Sequence, residues 1–180
     1  MSMKTKLQRN NNVQTTEEPT MFDTVNDLPK AGRIELTRLL NQRLAEAVDL
    51  QSQAKQAHWN VKGPHFIGLH KLFDEVYEEV SEYVDLIAER TAQLGGVAEG
   101  TVRVSAARSR LEEYPLDIAD GSAHVQALSK ALWAFGHEVR TAIDEADELD
   151  DAGTADLFTE VSRGIDKLSW MVEAHLQADK

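Results

Sequence analysis

Leu157, Val161, Ile165, Leu168, Val172 and Leu176 follow one another at steps of 4, 4, 3, 4 and 4 residues. An α-helix, with about 3.6 residues per turn, carries such a series on one face. The same spacing recurs in Leu36, Leu39, Leu40, Leu44 and Val48, and again in Val125, Leu128, Leu132, Phe135, Val139 and Ile143. Each series needs other apolar stripes to cover it, so the chain must be a bundle of long helices. No strand-like alternation of useful length and no internal repeat interrupts this pattern.

The punctuation sets the connections. One helix is predicted from about Arg33 to Asn60, ending at Gly63-Pro64, where the proline is placed to open the next helix. That second helix runs to Leu94 and stops at Gly95-Gly96. A connection over Val97–Asp120 carries Pro115 and a short helix expected around Ala106 to Glu113. A third long helix spans Ser122 to Leu149, and a fourth starts after Gly153. Two hairpins with short turns, joined by one long crossover between helices 2 and 3, make an all-α, ferritin-like four-helix bundle. Residues 1–30 are polar and aperiodic and read as a flexible tail, leaving 31–180 as one domain.

The second helix carries an unusual load. His70, Asp74, Asp85 and Glu89 fall within about 100° of one another around its axis. Four ionisable groups on one stripe need partners or water. The midpoint of His70/Asp74 lies 15 residues from that of Asp85/Glu89, about 22 Å along the axis. One straight helix cannot bring both pairs to one ion. A second copy running antiparallel can, with its two-fold axis near Glu79 and Val80, and two equivalent sites result. His58 sits before the Gly63-Pro64 turn about as far as His70 sits after it, so a hairpin sets the two imidazoles side by side. Mixed imidazole and carboxylate ligation suits iron that changes oxidation state. There is no cysteine, which removes thiolate metal sites, disulfides and cysteine nucleophiles.

Residues 55–96, KQAHWNVKGPHFIGLHKLFDEVYEEVSEYVDLIAERTAQLGG, and 112–118, EEYPLDI, resemble the Dps family of miniferritins, and the likeness extends over about residues 33–178. The resemblance implies a homododecamer built from antiparallel dimers, with ferroxidase sites at the two-fold interfaces. It implies that His58, His70 and Asp74 come from one subunit and Asp85 and Glu89 from its partner. The resemblance further implies that Fe(II) is oxidised to Fe(III) by hydrogen peroxide or dioxygen; zinc, which suits the same donors, is expected as a competing ion. Lys55 and Trp59 match family positions beside the site, and an electron-donating role is implied for Trp59; Tyr77 is a weaker candidate for the same role. Trp133 and Trp170 are expected in the core or an interface. None of the six histidines follows a glutamate by three residues, which disfavours the Glu-x-x-His ferritins.

Residues 144–151 read DEADELDD, six acids in eight positions. Acids at a helix C-terminus oppose the helix dipole, so local stability does not explain them. By resemblance, Asp147, Glu148, Asp150, Asp151 and Asp156 are candidates for lining a three-fold pore. DNA binding is the other family activity. Lys4, Lys6 and Arg9 are the candidate contacts, against a net charge of −12 from 31 acids and 19 bases that repels phosphates. A DNA-compacting protein with a vestigial metal site is therefore the rival reading, and structural zinc a third. No apolar run approaches a membrane span and no secretory signal is seen, so a cytoplasmic location is expected, with nucleoid association if the tail binds DNA.

Overall fold

The computed structural model describes residues 18–178. Its long helices are α1 (Lys30–Asn60), α2 (Phe66–Gln93), α4 (Gly121–Glu148) and α5 (Ala152–Glu173), with a short α3 (Val102–Arg108) in the crossover and a final 3-10 turn over Ala174–Leu176. α1 pairs with α2 and α4 with α5, and the two hairpins close on each other through α1–α4 and α2–α5 contacts. The apolar series predicted from spacing contribute Leu36, Leu40, Leu44, Leu132, Phe135, Val161 and Ile165 to one shared core, which Phe73, Val76 and Val80 of α2 join. Among the described residues no helix is long and apolar enough to cross a membrane.

Several boundaries differ from the sequence reading. Pro64 lies in a turn, where Phe66 N–H donates to the Gly63 carbonyl, and α2 starts at Phe66. The crossover helix lies earlier than Ala106–Glu113. It ends at Arg108 because Ser109 leaves helical geometry and its hydroxyl bonds Asp49 of α1. Leu176, the last member of the α5 seam, is in the 3-10 turn and exposed. Part of the expected tail is also tied down. Phe22 N–H donates to the Gly95 carbonyl at 2.7 Å, and Arg33 reaches both Leu28 and Leu94 carbonyls. Gly95 has φ +86°, and a Cβ there would lie 2.6 Å from the Phe22 oxygen, so only glycine fits.

The crossover has little regular structure, yet its backbone is not left to chance. Asn41 bonds the Val97 carbonyl and the Glu99 N–H, Gln42 the Arg108 carbonyl, and Gln53 the Glu112 carbonyl. A row of amides on α1 thus supplies the partners that irregular backbone requires when it packs against a helix. Deeper in the bundle, Arg43 is paired with Glu46 and Glu138 at 3.0 and 2.8 Å. Burial pushes the Glu46 carboxyl up, and Arg43 opposes that shift. These carboxylates between α1 and α4 are already occupied by a guanidinium.

The acidic α4–α5 turn is a double cap. Asp150 adopts φ +58°, and the N–H groups of Asp150 and Asp151 close back on the Asp147 and Ala146 carbonyls, the six-to-one and five-to-two pattern that ends a helix. Asp151 then caps α5 by accepting from Gly153 and Thr154 N–H, and Arg90 of α2 grips both its oxygens at 2.8 and 2.9 Å. Burial pushes the Asp151 carboxyl up, but the bonds from Thr154 and Arg90 outweigh it and hold it below the usual carboxylate range. Its stabilisation is therefore present above about pH 4 and lost as the pH falls through the lowered folded-state value. Asp151→Asn is expected to cost about 2 kcal/mol at neutral pH. Thermal melting across pH should show the gap to wild type closing below about pH 4.

Candidate metal centre

The short turn between α1 and α2 brings His58, in the last turn of α1, against His70, one turn into α2. Their rings stack with centroids 3.7 Å apart. The Nδ1 of His58 lies 2.7 Å from the His70 carbonyl oxygen, and the Nδ1 of His70 lies 2.8 Å from the His58 carbonyl oxygen. A carbonyl can only accept, so each Nδ1 carries its hydrogen and donates. In the neutral imidazole that leaves Nε2 with a free lone pair on both rings. Backbone carbonyls holding the far nitrogen are the usual way a ligating histidine is oriented. The pair is clasped by these two bonds in the tautomer that presents both Nε2 lone pairs.

Asp74 lies one turn further along α2, with Oδ1 3.8 Å from His58 Nδ1. Lys55, one turn before His58 on α1, donates to the same oxygen and sits 4.4 Å above the Tyr77 ring. The Lys55 ammonium holds the Asp74 carboxyl below its usual range. A cation therefore already rests on this carboxylate, and an incoming metal ion must displace or tolerate it. Lys55, His58, His70 and Asp74 are thus gathered at one end of the α1–α2 hairpin. Trp59 is beside them in sequence but 67% exposed.

Asp85 and Glu89 are not brought to this group. They stand exposed on α2, three and four turns beyond Asp74. Among the described residues no three His, Asp or Glu side chains within one chain form a metal-holding group. The residues between the two half-sites do share their stripe: Glu78 is exposed and Ser81 half-buried, its hydroxyl accepting from Gln51 of α1 at 2.7 Å. Val80 does not. It is 0% exposed in the chain's own core, so its side chain cannot be a contact at the expected two-fold axis, although it lies at that level along the helix. At about 100° per residue, Val80 lies about 80° from His70 on the opposite side from Asp85 and Glu89. Glu78 and Ser81 are the residues that a partner helix would meet.

The other candidates divide. Asp147, Glu148, Asp150 and Asp156 are exposed and free to line an opening. Asp151 is only 4% exposed and committed to Arg90 and the α5 cap, which removes it from the pore candidates. Trp133 and Trp170 are largely exposed, on either side of a groove of about 320 Å³ between α4 and α5, so they are not core residues of the single chain. Lys4, Lys6 and Arg9 lie outside the described residues. Sequence reasoning also missed a buried pair, Tyr114 and His124, whose Oη and Nδ1 are 2.8 Å apart. The only signal was His124 standing at a core position of the third helix stripe.

Comparison with known proteins agrees with this architecture. The sequence profile of the ferritin-like domain matches residues 37–180, which places the chain in that class. The DNA protection during starvation protein of Agrobacterium fabrum is 42% identical over 154 residues, covering 86% of this chain and 95% of that protein. The solved structure of DpsA14 from Streptomyces coelicolor superposes with a TM-score of 0.84 at 34% identity, covering 90% and 96% of the two chains. A Dps protein from Vibrio cholerae, described as a member of a broad superfamily of ferritin-like diiron-carboxylate proteins, gives 0.81 at 27% identity over 88% and 99%. The chain belongs to the Dps family.

Lys55 provides a direct check on the half-site. Lys55→Met removes an ammonium that both occupies Asp74 and repels cations. Co(II) affinity measured by calorimetry is expected to rise about tenfold, whereas Lys55→Arg should leave it near wild type.

Proposed function

We propose that this protein oxidises Fe(II) at two equivalent sites of an antiparallel dimer and stores the ferric product in a hollow dodecamer. The observation that carries this reading is the clasped His58/His70 pair. Two Nε2 lone pairs and the Asp74 carboxylate form half of an iron-binding shell, while Asp85 and Glu89 wait, exposed, on the same stripe of α2. Antiparallel pairing about Glu78 and Ser81 sets each half against the partner's complement. Iron is the substrate: two Fe(II) each lose one electron, hydrogen peroxide accepts both together with two protons from solvent, and its O–O bond breaks to give two waters. The nitrogen and oxygen donors favour this because they hold both oxidation states. No protein base is needed. Zinc would fill the same donors without turnover.

Removing iron and peroxide together is how such a protein would spare DNA, in keeping with the name of the Agrobacterium relative. Peroxide in preference to dioxygen, and direct contact of Lys4, Lys6 and Arg9 with DNA, belong to the same proposal. A gel shift at low salt, with and without residues 1–10, tests the contact.

The inter-subunit site makes a strong prediction. A chain carrying His58→Ala, His70→Ala and Asp74→Ala, and a second carrying Asp85→Ala and Glu89→Ala, should each lose peroxide-driven formation of ferric absorbance. Refolded together, they form mixed dimers with one intact site each, and about a quarter of the wild-type rate should return on random pairing. No recovery in a mixture that assembles normally would sink the shared site.

The acidic turn has a second test. Asp147→Asn, Glu148→Gln, Asp150→Asn and Asp156→Asn together, with Asp151 kept as the cap, should slow iron uptake several-fold at low salt. Stopped-flow oxidation should show the effect fading as ionic strength rises.

A further inference from the structure

Behind the ligand hairpin, on its core side, lies a polar pair that the iron site does not use. Tyr114, in the crossover, and His124, in the first turn of α4, are both buried, His124 to 1% exposure. The phenol oxygen is 2.8 Å from His124 Nδ1. Main-chain groups of Ile118 and Asn60 lie beside the imidazole but give Nε2 no hydrogen bond. With Nδ1 accepting from the phenol only Nε2–H lacks a partner, whereas the reverse direction would leave the phenol hydrogen unpaired as well as Nε2. Burial pushes the His124 imidazole down and keeps it neutral. Asn60 is two residues past His58, and Phe73, whose ring lies 6.5 Å from that of His124, precedes Asp74. The pair therefore backs directly onto the helix ends that carry the iron ligands.

A phenol hydrogen-bonded to a neutral base is the arrangement that lets tyrosine lose an electron without creating a buried cation on the ring, because the proton moves as the electron leaves. The chain has three tyrosines, and they differ in this respect. Tyr77 faces the Lys55 ammonium at 4.4 Å, which opposes removal of an electron from its ring. Tyr83 donates to the exposed Glu79 carboxylate at 2.7 Å, a group about two pK units less basic than imidazole in water, a gap that the burial of His124 narrows. Tyr114 alone of the three has an imidazole to hold its proton.

We propose that Tyr114 and His124 form a reversible one-electron donor to the iron site, an inference that rests on the ferroxidase reading. When a site holds a single Fe(II), peroxide would otherwise take one electron and release a hydroxyl radical. Tyr114 supplies the second electron. Its O–H bond breaks, the proton passes to His124 Nδ1, and the electron joins that of Fe(II) in reducing peroxide. With two protons from water, the products are Fe(III), two waters, a Tyr114 phenoxyl radical and a His124 imidazolium. The next Fe(II) reduces the phenoxyl and the imidazolium returns the proton, restoring the pair.

The test mixes substoichiometric Fe(II) with hydrogen peroxide, freezes within seconds and records the electron paramagnetic resonance spectrum. Wild type should give a radical whose spectrum narrows when tyrosine is ring-deuterated. Tyr114→Phe should lose it and raise spin-trapped hydroxyl radical several-fold; Tyr83→Phe should change neither. His124→Gln, which keeps an acceptor but no strong base, should cut the yield at least several-fold. An equal radical in Tyr114→Phe, or none in wild type while ferric absorbance still grows, overturns the proposal. If no iron is oxidised at all, the ferroxidase reading itself has failed. A ruthenium photo-oxidant then tests the pair alone: a flash-generated tyrosyl radical absent from Tyr114→Phe retains it as a redox site, and its absence from wild type removes that too.

Discussion

The reciprocal bonds between His58 and His70 are the contact on which the site depends. Each imidazole is tied by Nδ1–H to the backbone of the other helix, so one interaction closes the α1–α2 hairpin and sets the ligand tautomer. The cost of orienting the two imidazoles is met during folding, by groups that would otherwise need partners. Lys55 pairs with Asp74 beside this clasp and balances the carboxylate's charge.

Around this clasp, the rest of the chain acts as a frame of charge pairs and amide contacts. Arg43 fills the interior between Glu46 and Glu138, and Arg90 joins the ligand-bearing helix to the cap of α5 through Asp151. Breaking either would strand a charge in low-dielectric surroundings. The crossover follows the same logic: it is held by the amides of α1, and by Tyr114 reaching His124. Polar residues at core positions are thus concentrated where irregular backbone or a helix end meets the bundle.

What remains uncovered on the monomer is as informative as what is buried. Asp85 and Glu89 project away from the bundle, and Trp59, Trp133 and Trp170 leave large aromatic surfaces exposed. Such surfaces on one small helical bundle mark contacts with other chains.

The helices, their hairpins and the half-site were legible in sequence because they follow from local periodicity. Apolar residues at three- and four-residue steps define a helix face wherever they occur, and Gly95, with positive φ in the structure, ends α2 for a reason contained in one residue. The separation of His70/Asp74 from Asp85/Glu89 was likewise set by helical rise alone. Other features depend on which side of a helix meets which neighbour. Val80 was a plausible interface residue until packing placed it in the core, and Asp151 resembled its acidic neighbours until the turn rotated it under Arg90. Tyr114 and His124 are ten residues apart, on different elements, and no local pattern pairs them. Those assignments required the tertiary structure, because burial and pairing belong to contacts between segments rather than to any segment by itself.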